Sequence, residues 1–326
     1  MQVLALSDAA TPWHSFWIRF GQYATDLDLQ VEISTDPARM ADLGHNDVLL
    51  LYRYNRAWGD LEPSLTAAAG RGVRLMADVD DFLWQAPGWD ALRLRAFSRA
   101  LRHCRLISCS TEPLQEALSA MFRRARVVLI ANSTPPTRTG SPPISRGPVQ
   151  VCWTGAPWTR PQDLALLQPL VHWARQRDQP VRWRHIGHRE GQLSFAEAVG
   201  VDPALVEVHP LLPHQHYLQT LGGDIGLAPL APSSFNSFKS ELKLLEYSGL
   251  AMPWIASDAT PYRDLCTRWH WQGRLCRQPD DWIMHLEQLL DPATRQQEGQ
   301  ALQALAHGRQ NHAQTVARWR SVLISG

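Results

Sequence analysis

The chain has 326 residues, of which 44% are apolar and 19% charged, with a formal net charge of +1. That length suits two compact domains with ordinary cores. The near-neutral balance argues against a general nucleic-acid binder, which carries a basic excess. The five cysteines (Cys104, Cys109, Cys152, Cys266 and Cys276) are odd in number and match no zinc or disulfide spacing. Four lie in or beside apolar runs, where a free thiol behaves as a small hydrophobe, so a reducing cytoplasm is the expected setting. No apolar run approaches the ~20 residues of a membrane helix. Met1 to Leu6 is too short for a secretory core and lacks a basic flank. A soluble protein, at most peripheral to a membrane, is expected.

Val3–Leu6 reads as a short buried strand, followed by a polar turn and a helix from about Trp13 to Tyr23. Asp47–Tyr52 is a continuous apolar strand, Leu61–Ala69 a helix stopped by Gly70 and Gly72, and Val73–Ala77 a strand. Leu92–Arg102 reads as helix, Leu106–Cys109 as strand, Glu112–Met121 as a helix capped by Thr111, and Val127–Ile130 as strand. Asn132–Pro148 is rich in Pro, Gly, Ser and Thr without apolar periodicity, which is a linker signature. The alternation then restarts. Strands are predicted at Val149–Thr154, Val181–Ile186, Val206–Val208, Ile225–Ala228 and Trp254–Ala256. Helices are predicted at Asp163–Arg175, Gln215–Leu221, Leu242–Ser248, Trp282–Leu290, Gln296–Leu305 and Gln310–Leu323. Alternating strands and helices make parallel sheets covered on both faces. Ligands bind such sheets at the carboxyl ends of the strands.

Chemistry concentrates between Gly223 and Tyr262, in DIGLAPL (Asp224–Leu230), FNSFKSELKLLEY (Phe235–Tyr247) and PWIASDATPY (Pro253–Tyr262). Lys239, Lys243 and Glu246 follow at spacings of four and three, which on a helix is one face. Ammonium groups near a helix N-terminus suit a diphosphate, and a carboxylate one turn on suits ribose hydroxyls. The same spacing serves a solvated helix face, where a Lys243–Glu246 pair contributes under about 1 kcal/mol.

The stretch resembles the carboxy-terminal domain of the GT-B glycosyltransferases, in particular the retaining group called family 4 or group 1. The residues that carry the likeness are Asp224–Leu230, Phe235-Asn236, Lys239-Ser240, Leu242-Lys243, Leu245-Glu246-Tyr247, Ala256-Ser257 and Pro261-Tyr262. Weaker matches are Trp153-Thr154-Gly155, His185-Ile186-Gly187, Ala77–Asp81 and Ser110-Thr111-Glu112. The resemblance implies an α/β GT-B fold, two Rossmann-like domains facing each other across a cleft. The first, on the acceptor side, spans 1–140 and the second, which binds nucleotide-sugar, spans 148–308. A helix at 309–326, carrying Trp319 and Arg320, returns to the first. It also implies glycosyl transfer from a nucleotide-sugar to a hydroxyl of a glycan or lipid-linked glycan, with retention. The donor is a substrate, no metal or other cofactor is required, and no nucleic acid takes part. Polysaccharide biosynthesis is the usual setting. Glu246 matches the second glutamate of a motif whose two glutamates are separated by seven residues, and that residue binds the donor ribose. Lys239 and Lys243 fall where the family places basic groups on the diphosphate, so they are predicted to stabilise the leaving group. Asn236 and Ser240 join the donor contacts. The first glutamate is replaced by Phe238, and Glu241 lies out of register, which leaves the contact to the donor sugar without its usual residue.

Gly155 ends the first strand of the second half, where a missing side chain lets a phosphate approach the backbone; a plain strand–helix turn also fits. Asp78, Asp80 and Asp81 follow a strand in the acceptor half and are read as carboxylates for sugar hydroxyls or for proton transfer, with Asp80 the catalytic candidate. A structural turn with a helix cap fits the same residues. His14 and Arg19, after the first strand, are further candidates, His14 as a catalytic and Arg19 as an acceptor-side group. The loop before them, DAATPWHS, lacks the glycines the resemblance leads one to expect. His209, His214 and His216 lack a completing ligand at any zinc spacing, so no metal site is assigned. Trp13, Trp17, Trp84 and Trp89 serve either sugar stacking or core packing. Two other outcomes remain on the same fold: a nucleotide-sugar epimerase or hydrolase, and a non-catalytic nucleotide-sugar-binding module.

Overall fold

A computed structural model describes residues 1–7, 14–53, 61–135, 147–177 and 181–324. Residues 8–13 and most of the proline-rich stretch (136–146) lie outside the described residues, as does the side chain of His14. The chain divides into two compact units. One comprises Met1–Asn132, Phe238–Ser240 and Ala313–Gly326; the other comprises Ser133–Ser237 and Glu241–His312.

The first unit is built on six strands: β1 (Gln2–Leu6), β2 (Gln30–Ser34), β3 (Val48–Tyr52), β4 (Arg74–Val79), β5 (Leu106–Cys109) and β6 (Arg126–Leu129). All pair in parallel, in the order β2-β1-β3-β4-β5-β6. Every residue of β3, VLLLY, is buried, as a central parallel strand with both faces covered requires. Its helices are α1 (His14–Arg19), α2 (Leu61–Gly70), α3 (Ala91–Leu101) and α4 (Glu112–Met121). Leu61 and Leu65, Phe97 and Leu101, and Leu114 and Leu118 bring α2, α3 and α4 into one core. Side-chain caps start two of them: Asp90 accepts from Arg93 N at 2.8 Å, and Thr111 from Leu114 N at 3.4 Å. Strand β2 escapes the sequence reading. At this edge QVEIS is only partly buried, and its five residues alternate polar and apolar, so it carries the pattern of a half-covered strand and lacks the apolar run of a central one.

The second unit repeats the plan with β7 (Gln150–Thr154), β8 (Arg182–His188), β9 (Val206–Pro210), β10 (Ile225–Ala228), β11 (Trp254–Ser257) and β12 (Leu275–Cys276). Their order is β12-β11-β10-β7-β8-β9, again parallel. The helices are α5 (Pro161–Ala165), α6 (Gln168–Arg175), α7 (Phe195–Val199), α8 (His214–Thr220), α9 (Leu242–Gly249), α10 (Thr260–Trp269), α11 (Pro279–Leu289) and α12 (Pro292–Arg309). The single helix predicted over Asp163–Arg175 is two helices. Pro169 has no N–H to donate to Ala165, so the first stops at Ala165 and the second restarts with proline near its start. Two apolar cores flank the sheet. Leu164, Leu170, Phe195, Trp282 and Leu286 form one, and Tyr217, Leu244, Tyr262, Leu265 and Leu302 the other.

The last helix, α13 (His312–Ile324), belongs to the first unit. Trp319 is fully buried there, donates Nε1–H to Arg19 O at 3.0 Å and meets Phe20 edge-on at 4.9 Å. Among the described residues no helix is long and apolar enough to cross a membrane.

Candidate functional site

In the second unit, β7 continues through α5 and α6 to β8 on one side, and β10 through α9 to β11 on the other. The loops after β7 and β10 therefore part at their carboxyl ends. A crevice at such a reversal of strand order is where α/β sheets take ligands.

Gly155 stands at this point with φ 137°, a conformation that L side chains avoid. Its N–H donates to Ile186 O at 2.9 Å. Its carbonyl lies 3.0 Å from His185 Nε2, which must carry the proton because the carbonyl can only accept. His185 is fully buried, and burial lowers its pKa to about 4, so it stays a neutral donor. A Cβ on Gly187 would lie 2.4 Å from Gly155 O, so β8 must also carry a glycine there.

Lys243, on the first turn of α9, reaches this loop. Its Nζ lies 3.9 Å from where a Cβ on Gly155 would stand. Among the described residues it makes no hydrogen bond or ion pair. Burial, and next the charge of Arg160, hold its ammonium below the usual lysine pKa, while Glu246, Asp163 and Cys152 pull the other way. Arg160 sits at the start of α5 and pairs loosely with Asp163 at 3.6 Å. Glu246, one turn along α9, is buried and accepts from the Tyr217 hydroxyl at 2.7 Å. Tyr217 in turn lies 3.2 Å from Thr154 Oγ1, at the end of β7. Burial raises the Glu246 carboxyl to about 7, against the pull of Tyr217 and Lys243. Two cations, a bare glycine backbone and a buried carboxyl thus meet at the end of β7. Such a place neutralises a diphosphate and offers one acceptor for a hydroxyl.

Asn236 is near but occupied. Its amide donates to Asp163 Oδ1 (3.2 Å) and Ala231 O (2.8 Å), while Asp163 also accepts from Ala231 N (2.7 Å). These bonds shape the loop after β10. Helix α9 starts at Leu242, so Lys239 does not share its face, contrary to the spacing argument. Phe238–Ser240 belong to the first unit: Phe238 stacks on Phe82 at 4.3 Å, and Thr111 Oγ1 donates to Phe238 O at 3.1 Å. Lys239 pairs with Asp81 at 2.5 Å, and Ser240 Oγ accepts from Asn132 at 2.9 Å. These anchors hold Lys239 and Ser240 outside the helix that starts at Leu242.

In the first unit the acidic candidates separate. Asp78 and Arg19 are buried and close on each other through two bonds, 2.9 and 3.0 Å; Ser108 donates to Asp78 at 2.6 Å and Arg19 to Asn132 Oδ1 at 3.1 Å. Contrary to the acceptor-side expectation, this pair is a core tie with no group facing outward. Asp80 and Asp81, at the end of β4, are both met by Arg53, at 2.8 and 2.6 Å. Tyr52 OH lies 3.2 Å from Asp80 and donates to Ser15 at 2.6 Å. Arg53 holds φ 45°, a strained conformation for a non-glycine residue and one that concentrates at functional sites. Among the described residues no three His, Cys, Asp or Glu side chains gather as metal ligands.

Arg160, Tyr217 and Arg53 are absent from the sequence-based set. Arg160 had one signal, a cation five residues after Gly155 in a loop that opens a helix. Tyr217 and Arg53 had none, since each meets its partners only through the sheet.

No protein-family model matches the chain. No curated protein matches it in sequence. Solved structures do match in shape. The chain is similar to HepE of Anabaena, solved in complex with UDP-glucose, with 14% identity, 100% of both chains covered and a TM-score of 0.66. It is similar to an alpha-glucosyltransferase solved in complex with UDP, with 10% identity, 99% of both chains covered and a TM-score of 0.66. It is also similar to TarM, at 10% identity and a TM-score of 0.63, where 88% of this chain covers 57% of that one. The chain has the GT-B fold. Gly155, Arg160, Lys243 and Glu246 all lie in its second unit.

Proposed function

We propose that this chain is a glycosyltransferase that moves a sugar from a nucleoside-diphosphate sugar to a hydroxyl of a glycan or lipid-linked glycan. The observation that carries the reading is Lys243, an ammonium held beside Gly155 and Arg160 with no hydrogen-bond or ion-pair partner among the described residues. A desolvated, unpaired cation is costly in the free protein, and a diphosphate supplies the missing counter-charge. Glu246, held by Tyr217, then accepts from a ribose hydroxyl. Lys243 and Arg160 stabilise the diphosphate as it leaves with the bonding electrons of the anomeric carbon. The nucleotides named in the complexes of HepE and the alpha-glucosyltransferase favour uridine as the base. Asp80, with Arg53 and Tyr52 around it, is the acceptor-side candidate in the first unit. Retention at the anomeric carbon and independence of a metal belong to this proposal.

Phe238 favours a second reading, a module that binds the nucleotide without chemistry. It fills the place of a sugar-binding glutamate and is stacked on Phe82. Thermal unfolding with UDP, GDP and ADP, each with and without magnesium, tests the donor site. A ligand at ~100 times its Kd adds about 2.7 kcal/mol to the native state. The proposal expects a rise with one nucleotide, unchanged by magnesium and cut to about half or less in Lys243→Ala. No rise with any of them refutes both readings. A rise with no release of diphosphate from any donor, with or without hydroxyl acceptors, selects the module.

A further inference from the structure

Between Arg93 and Arg126 the chain carries eight arginines (93, 95, 99, 102, 105, 123, 124 and 126) against two glutamates, a local excess of +6 in a chain whose net charge is +1. All eight are exposed. Arg93 pairs with Asp90 at 3.4 Å, and the other seven make no ion pair among the described residues.

The fold gathers them. Leu92, Arg95, Arg99 and Arg102 follow at helical spacings of three and four, so they form one stripe on α3, opposite the buried Phe97 and Leu101. Helices α3 and α4 pack on the same sheet face and descend in the same direction, because both link parallel neighbouring strands. Their carboxyl ends therefore reach the edge where β5 and β6 begin. There Arg126 N donates to Arg105 O at 2.8 Å, which sets Arg102, Arg105, Arg123, Arg124 and Arg126 along one rim. Two bulky apolar side chains stand out on the same elements, Leu92 at 67% exposure and Met121 at 42%.

Seven unpaired like charges repel one another and weaken the fold; a partner of opposite charge removes that cost. We propose that this arginine face docks on the surface of an anionic lipid bilayer, with Leu92 and Met121 entering the headgroup region. The interleaved apolar side chains favour a bilayer over an anionic polymer, which offers them no apolar layer. This surface is independent of the donor site.

The test is sedimentation of the full chain with vesicles of phosphatidylcholine alone and with vesicles about one-third phosphatidylglycerol, with heparin as the polymer probe. Binding is expected to the anionic vesicles only, and to weaken as salt rises from about 0.1 to about 1 M, where the screening length falls from ~10 to ~3 Å. An arginine near such a surface contributes about fivefold in partitioning, so Arg99→Gln/Arg102→Gln/Arg124→Gln should lose on the order of 100-fold. Leu92→Ser/Met121→Ser should lose a further severalfold on vesicles and nothing on heparin. Arg105→Gln/Arg123→Gln, at other positions on the rim, repeats the charge test if the triple variant unfolds. No binding to anionic vesicles, or partitioning unchanged by both charge variants, overturns the proposal. Vesicle binding that the apolar pair does not affect, with heparin bound as tightly, overturns it in favour of a polymer.

Discussion

Replacing Lys243 by methionine should change nucleotide affinity and protein stability in opposite directions. Its ammonium is half-buried beside Arg160 and has no ion-pair partner among the described residues. In the free protein it bears a desolvation cost and a like-charge repulsion. Methionine keeps the stem's packing and removes both, so the free variant should be as stable as the parent or up to about 1 kcal/mol more stable. With nucleotide bound, the same ammonium makes a charge-assisted bond to phosphate, worth about 1.5–3 kcal/mol. Its loss should weaken UDP by roughly 10- to 100-fold. Calorimetric titration gives the affinity, and thermal unfolding of the free protein gives the stability. For a unit of this size the melting rise with nucleotide at ~100 times Kd, roughly 5–10 °C in the parent, should fall to about half or less at the same concentration. A variant that binds UDP as tightly as the parent refutes the placement of the diphosphate at Lys243. A variant that loses binding and stability together shows that Lys243 is a structural residue.

Glu246 gives a pH signature. Its carboxyl is raised from 4.5 to about 7, so across that window the folded state holds more proton than the unfolded state and stability falls as pH rises. The full contribution is about 3 kcal/mol, present below the unfolded pKa and lost as pH passes 7. Glu246→Gln should flatten the melting temperature between pH 5 and pH 8 by removing this term; an unchanged pH profile refutes it. Gly187→Ala should drive a methyl into Gly155 O, 2.4 Å away, at φ 122°. The strain alone costs about 1–3 kcal/mol, and UDP affinity should fall with it; parental stability and affinity together would show that the Gly155 loop is not held by β8. Asp78→Ala leaves Arg19 buried and unpaired, so it should lower stability by about 3–5 kcal/mol in thermal unfolding, whereas a role confined to the acceptor predicts unchanged melting and lost turnover.

Much of the plan was legible along the chain. The apolar runs of β1, β3 and β10 mark strands buried on both faces, and Thr111 marks the start of α4, because local physics decides each of these. The stretch from Asp224 to Tyr262 pointed to the GT-B fold, since that fold repeats the same short-range pattern of strand, loop and helix. Lys243, Glu246 and Gly155 came from the same local signals. What failed depended on distant partners. Lys239 and Ser240 looked like members of the α9 stripe until Asp81 and Asn132 claimed them from more than a hundred residues away. Asp78 and Arg19 looked like site residues, and the core closed them on each other. Sequence spacing determines which side chains share an element. Only the tertiary structure decides which charges are left unpaired, because pairing is settled by whatever the rest of the fold brings within a few ångströms.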